Sequence, residues 1–140
     1  MTEEPYKLPP GWRWVRLGEV CQVYGGSTPR RNQDRFFGGD IVWITPSDLT
    51  DDLPLAEVAA SRTTLTQEGL ASSSARLLPS GTVLFSSRAT IGKVAIAGVS
   101  LATNQGFANF VCESYVDNRY LAYLLKAFTP EIERLAGSTT

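Results

Sequence analysis

The stretch Leu77-Leu-Pro-Ser-Gly-Thr-Val-Leu-Phe-Ser-Ser-Arg-Ala-Thr-Ile-Gly-Lys-Val-Ala-Ile-Ala-Gly-Val-Ser-Leu-Ala-Thr-Asn-Gln-Gly-Phe-Ala-Asn-Phe110 decides the fold of this chain. Its Pro-Ser-Gly sequence at 79–81 is typical of a turn, because these residues favour turn conformations. Apolar and β-branched runs then predict strands over 82–86, 93–97, 101–103 and 106–111. Short polar segments separate these runs, so the stretch predicts a strand–loop–strand scaffold.

The segments N-terminal to this stretch carry weaker patterns of hydrophobicity. They include a long polar segment, and such segments are often functional inside compact domains. The elements predicted there are a strand over 12–17, a helix over 18–24 that Gly25 and Gly26 end, a polar loop over 27–40, strands over 41–45 and 75–78, and a helix over 67–71 capped by Thr66.

The clearest helix signal lies near the C-terminus. Asp117 is a good N-cap, and apolar side chains recur at spacings of three and four as far as Phe128, which predicts one apolar helix face. Pro130 is expected to break this helix, and a final helical turn is predicted over 131–136. The expected fold class is α+β, with a mixed or antiparallel twisted sheet, short helices at its edges and a C-terminal amphipathic helix.

The composition excludes several classes of protein. The chain has 140 residues, which fits one domain, and 43% of them are hydrophobic. No apolar run approaches the roughly 20 residues of a membrane span, and the N-terminus lacks the pattern of a signal peptide, so no membrane association is expected. Cys21 and Cys112 lie far apart in the sequence. A disulfide between them is possible in principle, but two reduced thiols packed as small hydrophobic groups in a cytoplasmic protein are the better interpretation.

The residue types also argue against catalysis. The chain has no histidine, which removes histidine-dependent nucleophiles and zinc sites that contain histidine. Gly92-Lys93 resembles the end of a phosphate-binding loop, but Ser87 and Val94 replace residues that such a loop requires. We therefore expect no catalytic residues, no metal site and no cofactor. A small hydrolase based on serine and arginine is a poor alternative.

The charges are unevenly distributed along the chain. The net charge is -1, yet residues 12–40 carry +2 and residues 60–100 carry +3, while residues 41–59 carry -4. Most of the basic residues are arginines, whose planar guanidinium suits phosphates and guanine edges. On charge alone, an ordinary mixed-charge surface is the better interpretation.

Three segments share a design in which an apolar strand ends and a short polar loop follows. They are 43–48, 84–93 and 101–107. Their Arg, Asn, Gln, Ser and Thr side chains are types that read base edges and hold phosphates. Each loop taken singly is better explained as a hydrogen-bonded turn. Together with the arginine-bearing loop over 27–35, the three make a DNA-contacting surface an equally good interpretation.

An ordered set of short motifs runs from about Leu8 to Thr139. It comprises Leu8-Pro-x-Gly-Trp12, Trp14-x-x-Leu-Gly-Glu-Val20, Gly25-Gly-Ser-Thr-Pro29, Gly38-Gly-Asp-Ile-x-Trp-Ile-Thr45, Asp48-Leu49, Leu78-Pro-x-Gly-Thr-Val-Leu-Phe-Ser-Ser-Arg88, Ile91-Gly-Lys-Val-Ala-Ile96, Thr103-Asn-Gln-Gly-Phe107 and Ile132-x-x-Leu-Ala136. Each motif is weak, but the ordered set is highly specific. In it the chain resembles the target-recognition domain of the specificity subunit of type I restriction–modification enzymes.

Residues 1–11 are polar and rich in proline, and they are expected to form an extended arm. The resemblance implies a single target-recognition domain over 12–137, followed by a spacer helix that starts at 138–140 and is otherwise missing. It implies sequence-specific binding of double-stranded DNA at one half of a bipartite target. It also implies partners: modification subunits, which methylate adenine with S-adenosylmethionine, and through them restriction subunits, which cut DNA with ATP. The alternative is a truncated interaction module that docks a modification subunit without reading DNA.

The resemblance also separates shared residues from variable ones. Residues shared among different specificities are expected to brace loops, whereas the variable stretches 30–35, 50–64 and 71–76 are expected to read bases. Trp12, Trp14 and Trp43 are expected to pack in the core. The candidate DNA contacts are Thr28, Arg30, Arg31, Asn32, Arg35, Thr45, Ser47, Asp48, Ser73, Ser74, Arg76, Ser87, Arg88, Thr90, Lys93, Asn104 and Gln105.

Overall fold

The computed structural model describes residues 6–51 and 55–138, so the ends of the predicted arm and spacer and the middle of the acidic loop lie outside the described residues. The described part contains eight strands and four α-helices. The strands are β1 (Cys21–Tyr24), β2 (Phe37–Ile44), β3 (Glu57–Val58), β4 (Thr64–Leu65), β5 (Val83–Ser86), β6 (Val94–Ala97), β7 (Ala102–Thr103) and β8 (Phe107–Cys112). The helices are α1 (Leu17–Val20), α2 (Gln67–Ala71), α3 (Asn118–Ala127) and α4 (Thr129–Ser138).

The strands form two sheets rather than the single sheet that the sequence predicts. A five-stranded sheet has the order β1-β8-β5-β6-β3, and a three-stranded sheet has the order β4-β2-β7. Both are mixed, since β3 pairs with β6 in parallel and β2 pairs with β7 in parallel, while the other pairs are antiparallel. The predicted α+β class with a mixed sheet is therefore confirmed.

The central strands β5 and β6 are buried along their whole length. Successive side chains point to opposite faces of a strand. Val83 and Phe85 accordingly pack in a cluster with Leu121 and Leu125 of α3, whereas Leu84 packs in a second cluster with Ile44 of β2. Burial on both faces explains why these strands are continuous apolar runs, and why their local signal identified them within one or two residues.

The C-terminal helix prediction is confirmed, with one correction. Asp117 caps α3, because its carboxylate accepts hydrogen bonds from the backbone N–H groups of Arg119 at 3.0 Å and Tyr120 at 3.2 Å. Pro130 does end the first helix, but it lies in the first turn of the ten-residue helix α4. A proline is tolerated there, because the first N–H groups of a helix have no intrahelical acceptor.

The N-terminal predictions were partly wrong. No strand forms over residues 12–16 of the described chain, and the predicted helix over 18–24 is limited to α1 before the chain enters β1. Pairing with β8 determines that conformation, because each β1 residue from Cys21 to Tyr24 has a partner there. Tertiary pairing routinely overrides local propensity in strands of this length.

Two further predictions, of a loop and of a strand, have incorrect bounds, because contacts with distant residues determine these segments. The loop predicted over 27–40 is shorter, because a 3-10 turn forms at Asp34–Phe36 and β2 begins at Phe37. The strand predicted over 75–78 reduces to one bridge between Leu78 and Leu101.

The three tryptophans do not share one environment. Trp43 is fully buried, as predicted, but Trp12 is 59% exposed, so its assignment to the core was wrong. Trp12 lies against the ring of Tyr120 on the outer side of α3, with ring centroids 6.2 Å apart. Trp14 is half-buried and packs edge-on against Tyr6.

None of the helices in the described residues has the length and apolarity that a membrane crossing requires.

Candidate nucleic-acid interface

Four polar segments meet at one end of the two sheets, and we call them together the loop face. The segments are 27–36, 45–49, 87–93 and 103–106. Backbone hydrogen bonds join them in series: Ser27 N donates to Thr103 O at 3.0 Å, Asn104 N donates to Ile44 O at 3.0 Å, and Ser87 N donates to Gly106 O at 2.8 Å. The structure therefore brings together the strand-end loops that the sequence singled out.

Close contacts lock these segments to one another. A Cβ atom on Gly26 would lie 2.1 Å from Asn104 O, so the chain entering the first segment lies directly on the last one. The ammonium group of Lys93 donates to Pro46 O at 3.1 Å. Lys93 thus ties two segments of the loop face together.

Many of the predicted contact residues brace this arrangement with their side chains. One carboxylate oxygen of Asp48 accepts from Thr45 N at 2.9 Å, and the other accepts from Arg62 N at 3.1 Å. The hydroxyl groups of Thr45 and Ser47 lie 2.9 Å apart and share a hydrogen bond. These hydrogen bonds shape the loop 45–49, and the exposed hydroxyl of Ser47 keeps further hydrogen-bonding capacity.

The same holds in the segments around it. Asn104 Oδ1 accepts from Gly106 N at 2.9 Å, and Ser73 Oγ accepts from Ala75 N at 3.2 Å, both within local turns. Thr28 donates to Gln105, which links the first and last segments of the loop face.

Three of the predicted arginines rest on aromatic rings. The guanidinium carbon of Arg31 lies 5.3 Å from the ring centroid of Trp43, and that of Arg76 lies 4.2 Å from the centroid of Tyr24. Arg35 lies 4.9 Å from the centroid of Phe36. Cation–π contacts at exposed sites contribute roughly 0.5–1 kcal/mol. They also hold each guanidinium in place.

Arg35 is the most constrained of these arginines. Its Nε lies 2.8 Å from a carboxylate oxygen of Glu68, and another of its nitrogens donates to Gln33 at 2.7 Å. Its carbonyl oxygen also accepts from Thr66 Oγ1 at 2.7 Å. Arg35 therefore joins the first segment of the loop face to α2.

A smaller group of predicted residues is unengaged. These side chains are exposed and have no hydrogen-bond, ionic or ring partner within residues 6–51 and 55–138. They are Arg30, Asn32, Ser74, Arg88 and Thr90. Exposed polar groups without an internal partner are available to an external ligand.

The β5–β6 connection holds two of these side chains in a fixed tip. Ser86 is fully buried, and its hydroxyl donates to Thr90 O while accepting from Lys93 N at 2.8 Å. Ala89 has a φ of 58°, a left-handed conformation that costs roughly 1–2 kcal/mol for a residue with a Cβ. Strain of this kind is characteristic of functional loops. The tip projects Arg88 and Thr90 outward.

Segment 73–76 lies beside the loop face. Ala75 packs in the cluster that contains Trp43 and Ala102. Arg76 reaches Tyr24, which precedes the Gly25-Gly26 entry to the loop face. The stretch 71–76, which was expected to read bases, is thus adjacent to the loop face through Tyr24.

Two carboxylates of the acidic stretch between 41 and 59 pair with bases of α3. Asp51 pairs with Lys126 of α3, and Glu57 lies 3.5 Å from Arg119 of the same helix. The carboxylate of Asp48 is engaged by backbone N–H groups, as described above. The described residues contain no group of three or more His, Cys, Asp or Glu side chains suited to a metal ion.

The sequence did not identify one residue that organises this site. Ser86 belongs to the shared motif that was expected to brace loops, and it does so through complete burial and two hydrogen bonds in the β5–β6 tip. Tyr24 was assigned to a helix, so its contact with Arg76 was missed. No local signal predicts a contact between residues so far apart in the sequence.

Known proteins resemble this chain in sequence over almost its whole length. The sequence model of the family described as the type I restriction modification DNA specificity domain matches residues 9–140. The specificity subunit of the type I restriction enzyme MjaIX from Methanocaldococcus jannaschii is 38% identical over 136 residues, which are 96% of this chain and 31% of that protein. The specificity subunit of EcoR124I/EcoR124II from Escherichia coli is 30% identical over 131 residues, 90% of this chain and 31% of that protein.

Solved structures show the same likeness. The crystal structure of the HsdS subunit from Thermoanaerobacter tengcongensis superposes with a TM-score of 0.72 at 28% identity, covering 93% of this chain and 31% of that one. A chain from a structure that concerns complex assembly and conformational transition of the type I R-M system gives a TM-score of 0.73 at 29% identity, covering 94% of this chain and 31% of that one. The chain thus spans about a third of the length of these relatives.

Proposed function

This chain belongs to the family of type I restriction–modification DNA specificity domains, and on that premise we propose that it binds double-stranded DNA and reads one half of a bipartite target. The observation that carries the proposal is the loop face, where polar segments from both sheets are locked together and the unpaired side chains of Arg30, Asn32, Arg88 and Thr90 project from them. Arginine and asparagine are the side chains best suited to guanine and adenine edges in the major groove.

The loop face suggests a division of labour among its residues. Arg88 sits on the rigid tip of a motif shared by the family, so we assign it to the phosphate backbone. Arg30 and Asn32 lie in a variable stretch, so we assign them to base edges. Arg31, Arg35, Asp48 and Lys93 are engaged inside the protein and support the loops that carry the readers. Phosphate contacts position a protein on DNA, and base contacts specify the sequence.

The partners follow from the same family membership. We propose that the domain serves modification subunits, and through them restriction subunits, and that catalysis, metals and cofactors belong to those partners. The relatives are themselves named as specificity subunits. We also place the domain in the cytoplasm, the compartment that holds prokaryotic DNA and keeps thiols reduced. The exposed basic tip favours DNA reading over docking alone.

Fluorescence anisotropy with labelled duplexes of random sequence tests DNA binding. The logarithm of the association constant is expected to fall linearly with the logarithm of salt concentration, with a slope of about 0.9 per phosphate contact. Arg88→Ala should weaken binding to every sequence roughly tenfold and lower the slope by about 1. The matched control is Arg134→Ala, which removes an exposed arginine of α4 that lies outside the four segments of the loop face. Equal effects of the two variants would refute the assignment of the site.

Selection of bound duplexes from a random pool tests the reading of sequence. An enriched half-site is expected for the natural protein, and Arg30→Ala is expected to relax the preference at one base pair by about 1–3 kcal/mol. The selection should also be run with the domain in complex with modification subunits, because an isolated half-site reader binds weakly. Salt-independent binding, or no enrichment in either form, contradicts the proposal.

A further inference from the structure

Two thiols that are distant in sequence face each other across a strand pair. Cys21 of β1 and Cys112 of β8 are direct register partners in the antiparallel ladder. Their Sγ atoms lie 3.6 Å apart, and both residues are free cysteines. They lie 91 positions apart in the sequence, which favoured two separate thiols.

The backbone geometry at this pair suits a covalent bond between the two sulfurs. Glu113 N donates to Val20 O at 3.0 Å, immediately beside the pair. Hydrogen-bonded and non-hydrogen-bonded positions alternate along an antiparallel ladder, so Cys21 and Cys112 occupy a non-hydrogen-bonded position, where Cα atoms lie about 4.5 Å apart. Disulfides span Cα separations of about 4.4–6.8 Å, so an approach of about 1.5 Å by the sulfurs is sufficient.

The two thiols differ in their access to a reagent. Cys21 is buried, with 6% of its surface exposed. Cys112 is half-buried and lines a cavity of about 240 Å³ together with Thr82, Glu113 and Asn118. A small molecule in that cavity therefore reaches Cys112 first and finds Cys21 directly behind it.

We propose that Cys21 and Cys112 form a modification site that reacts with small organic disulfides and closes reversibly into a cross-strand disulfide. The Cys112 thiolate attacks one sulfur of the reagent, which forms a mixed disulfide and releases one thiol. Cys21 then attacks the Cys112 sulfur, which forms the internal bond and releases the second thiol. The two protein thiols lose two electrons and two protons, and the reagent takes up both.

The bond would fasten an exposed edge of the fold. β1 is an edge strand of the five-stranded sheet and has β8 as its single neighbour there. Cys21 begins β1, whereas the Gly25-Gly26 entry to the loop face follows its other end. The disulfide should therefore stabilise the sheet without altering DNA binding.

Burial makes the site slow to react. It raises the pKa of Cys112 to about 12. It also raises the pKa of Cys21, and the negative charge of Glu113 acts in the same direction there. The reacting species is the thiolate, which is scarce at neutral pH under these conditions. The site therefore responds to sustained rather than brief exposure to disulfides.

The test is incubation of the folded chain with oxidised glutathione at pH 8.5, followed by intact mass and peptide mapping. The expected product has lost two hydrogen atoms, retains no glutathione and links the peptides of Cys21 and Cys112. Its melting temperature should rise by roughly 10 °C, because the bond closes a loop of 91 residues in the unfolded chain. Dithiothreitol should reverse both changes, and duplex binding should stay the same.

Single-cysteine variants identify the order of the steps. Cys21→Ser should retain one glutathione on Cys112, because nothing remains to displace it. Cys112→Ser should stay unmodified while folded. The proposal is overturned if the natural protein keeps a stable glutathione on Cys112, or if neither cysteine reacts in the folded chain although both react after unfolding in guanidinium.

Discussion

Replacing Gly26 with alanine tests whether the first and last segments of the loop face depend on direct contact. A Cβ atom at this position would lie 2.1 Å from Asn104 O, 2.2 Å from Thr103 O and 2.3 Å from Thr103 Oγ1. All of these atoms belong to the segment that Gly26 touches, and two of them are backbone atoms. The segments must therefore separate by more than 1 Å to reach ordinary contact distance.

The expected loss of stability follows from three contributions. Overpacking of a well-packed site costs typically 1–3 kcal/mol. Separation also breaks the hydrogen bond from Ser27 N to Thr103 O, which contributes about 1 kcal/mol. Alanine restricts the unfolded chain and so returns about 0.4–1 kcal/mol. The free energy of unfolding should fall by about 2–3 kcal/mol, and the melting temperature by roughly 6–12 °C.

The neighbouring glycine provides a matched control. A Cβ atom on Gly25 would have Phe107 O as its nearest neighbour, at 4.0 Å. Neither Gly25 nor Gly26 has a positive φ, so alanine is compatible with the backbone at both. Gly25→Ala should therefore be neutral or slightly stabilising, through the same restriction of the unfolded chain.

Urea denaturation measures both variants, and duplex binding is then measured at a temperature where both are folded. Gly26→Ala should bind DNA more weakly than Gly25→Ala, because the loop 27–36 is displaced from 103–106. If the two variants have equal free energies of unfolding, the contact is not close-packed. If Gly26→Ala is unstable but binds DNA normally when folded, the alignment of these segments does not contribute to recognition.

Further predictions concern the tip, the α3 cap and a thiol. Ala89→Gly should raise the free energy of unfolding by up to about 1 kcal/mol, because glycine accepts the left-handed φ of 58°; an unchanged urea midpoint contradicts this. Asp117→Ala should lower the free energy of unfolding by about 1 kcal/mol, because α3 loses its N-cap, whereas Asp117→Asn should retain most of the stability. Equal losses in the two variants would refute the capping role. The rate at which iodoacetamide alkylates Cys112 should rise about tenfold per pH unit between pH 7 and pH 9, because the raised pKa of Cys112 keeps the thiolate scarce throughout that range. A rate that stops rising below pH 9 would contradict this prediction.

The sequence predicted the parts of the fold whose signal is local. Residues 82–86 and 93–97 are buried on both faces, so their continuous apolar runs identify them without knowledge of their partners. The spacing of Leu121 and Leu125 likewise places them on one face of α3. These elements form the scaffold beneath the loop face, and each was predicted within two residues.

Elements defined by a distant partner were not predictable in this way. Cys21–Tyr24 has few residues and no strong local preference, and only the ladder with β8 makes it a strand. β3 and β4 have two residues each, too few for any pattern of alternation to emerge. Trp12 was expected to pack in the core, yet it lies against Tyr120 of α3 and is largely exposed.

In the candidate interface, too, local sequence predicts the residue types but not their partners. The sequence indicated the right residue types at the ends of strands, but not which of them have partners inside the protein. Arg35 and Arg30 look equivalent in the sequence. Glu68, which is 33 residues from Arg35, distinguishes them by engaging its guanidinium. Assignment of readers and braces therefore requires contacts that no local motif encodes.

The charge of the chain illustrates why such contacts matter for a DNA reader. A net charge of -1 predicts weak nonspecific attraction to DNA, because that attraction depends on neutralised phosphates. The structure distinguishes the charges: Asp51 and Glu57 pair with bases of α3, whereas the side chains of Arg30 and Arg88 have no partner within residues 6–51 and 55–138. The number of phosphates contacted then depends on the few unpaired arginines rather than on the total. We therefore expect the association constant to depend only weakly on salt concentration. Arg88→Ala should reduce that dependence by a large fraction, because the protein contacts few phosphates and this variant loses one of them.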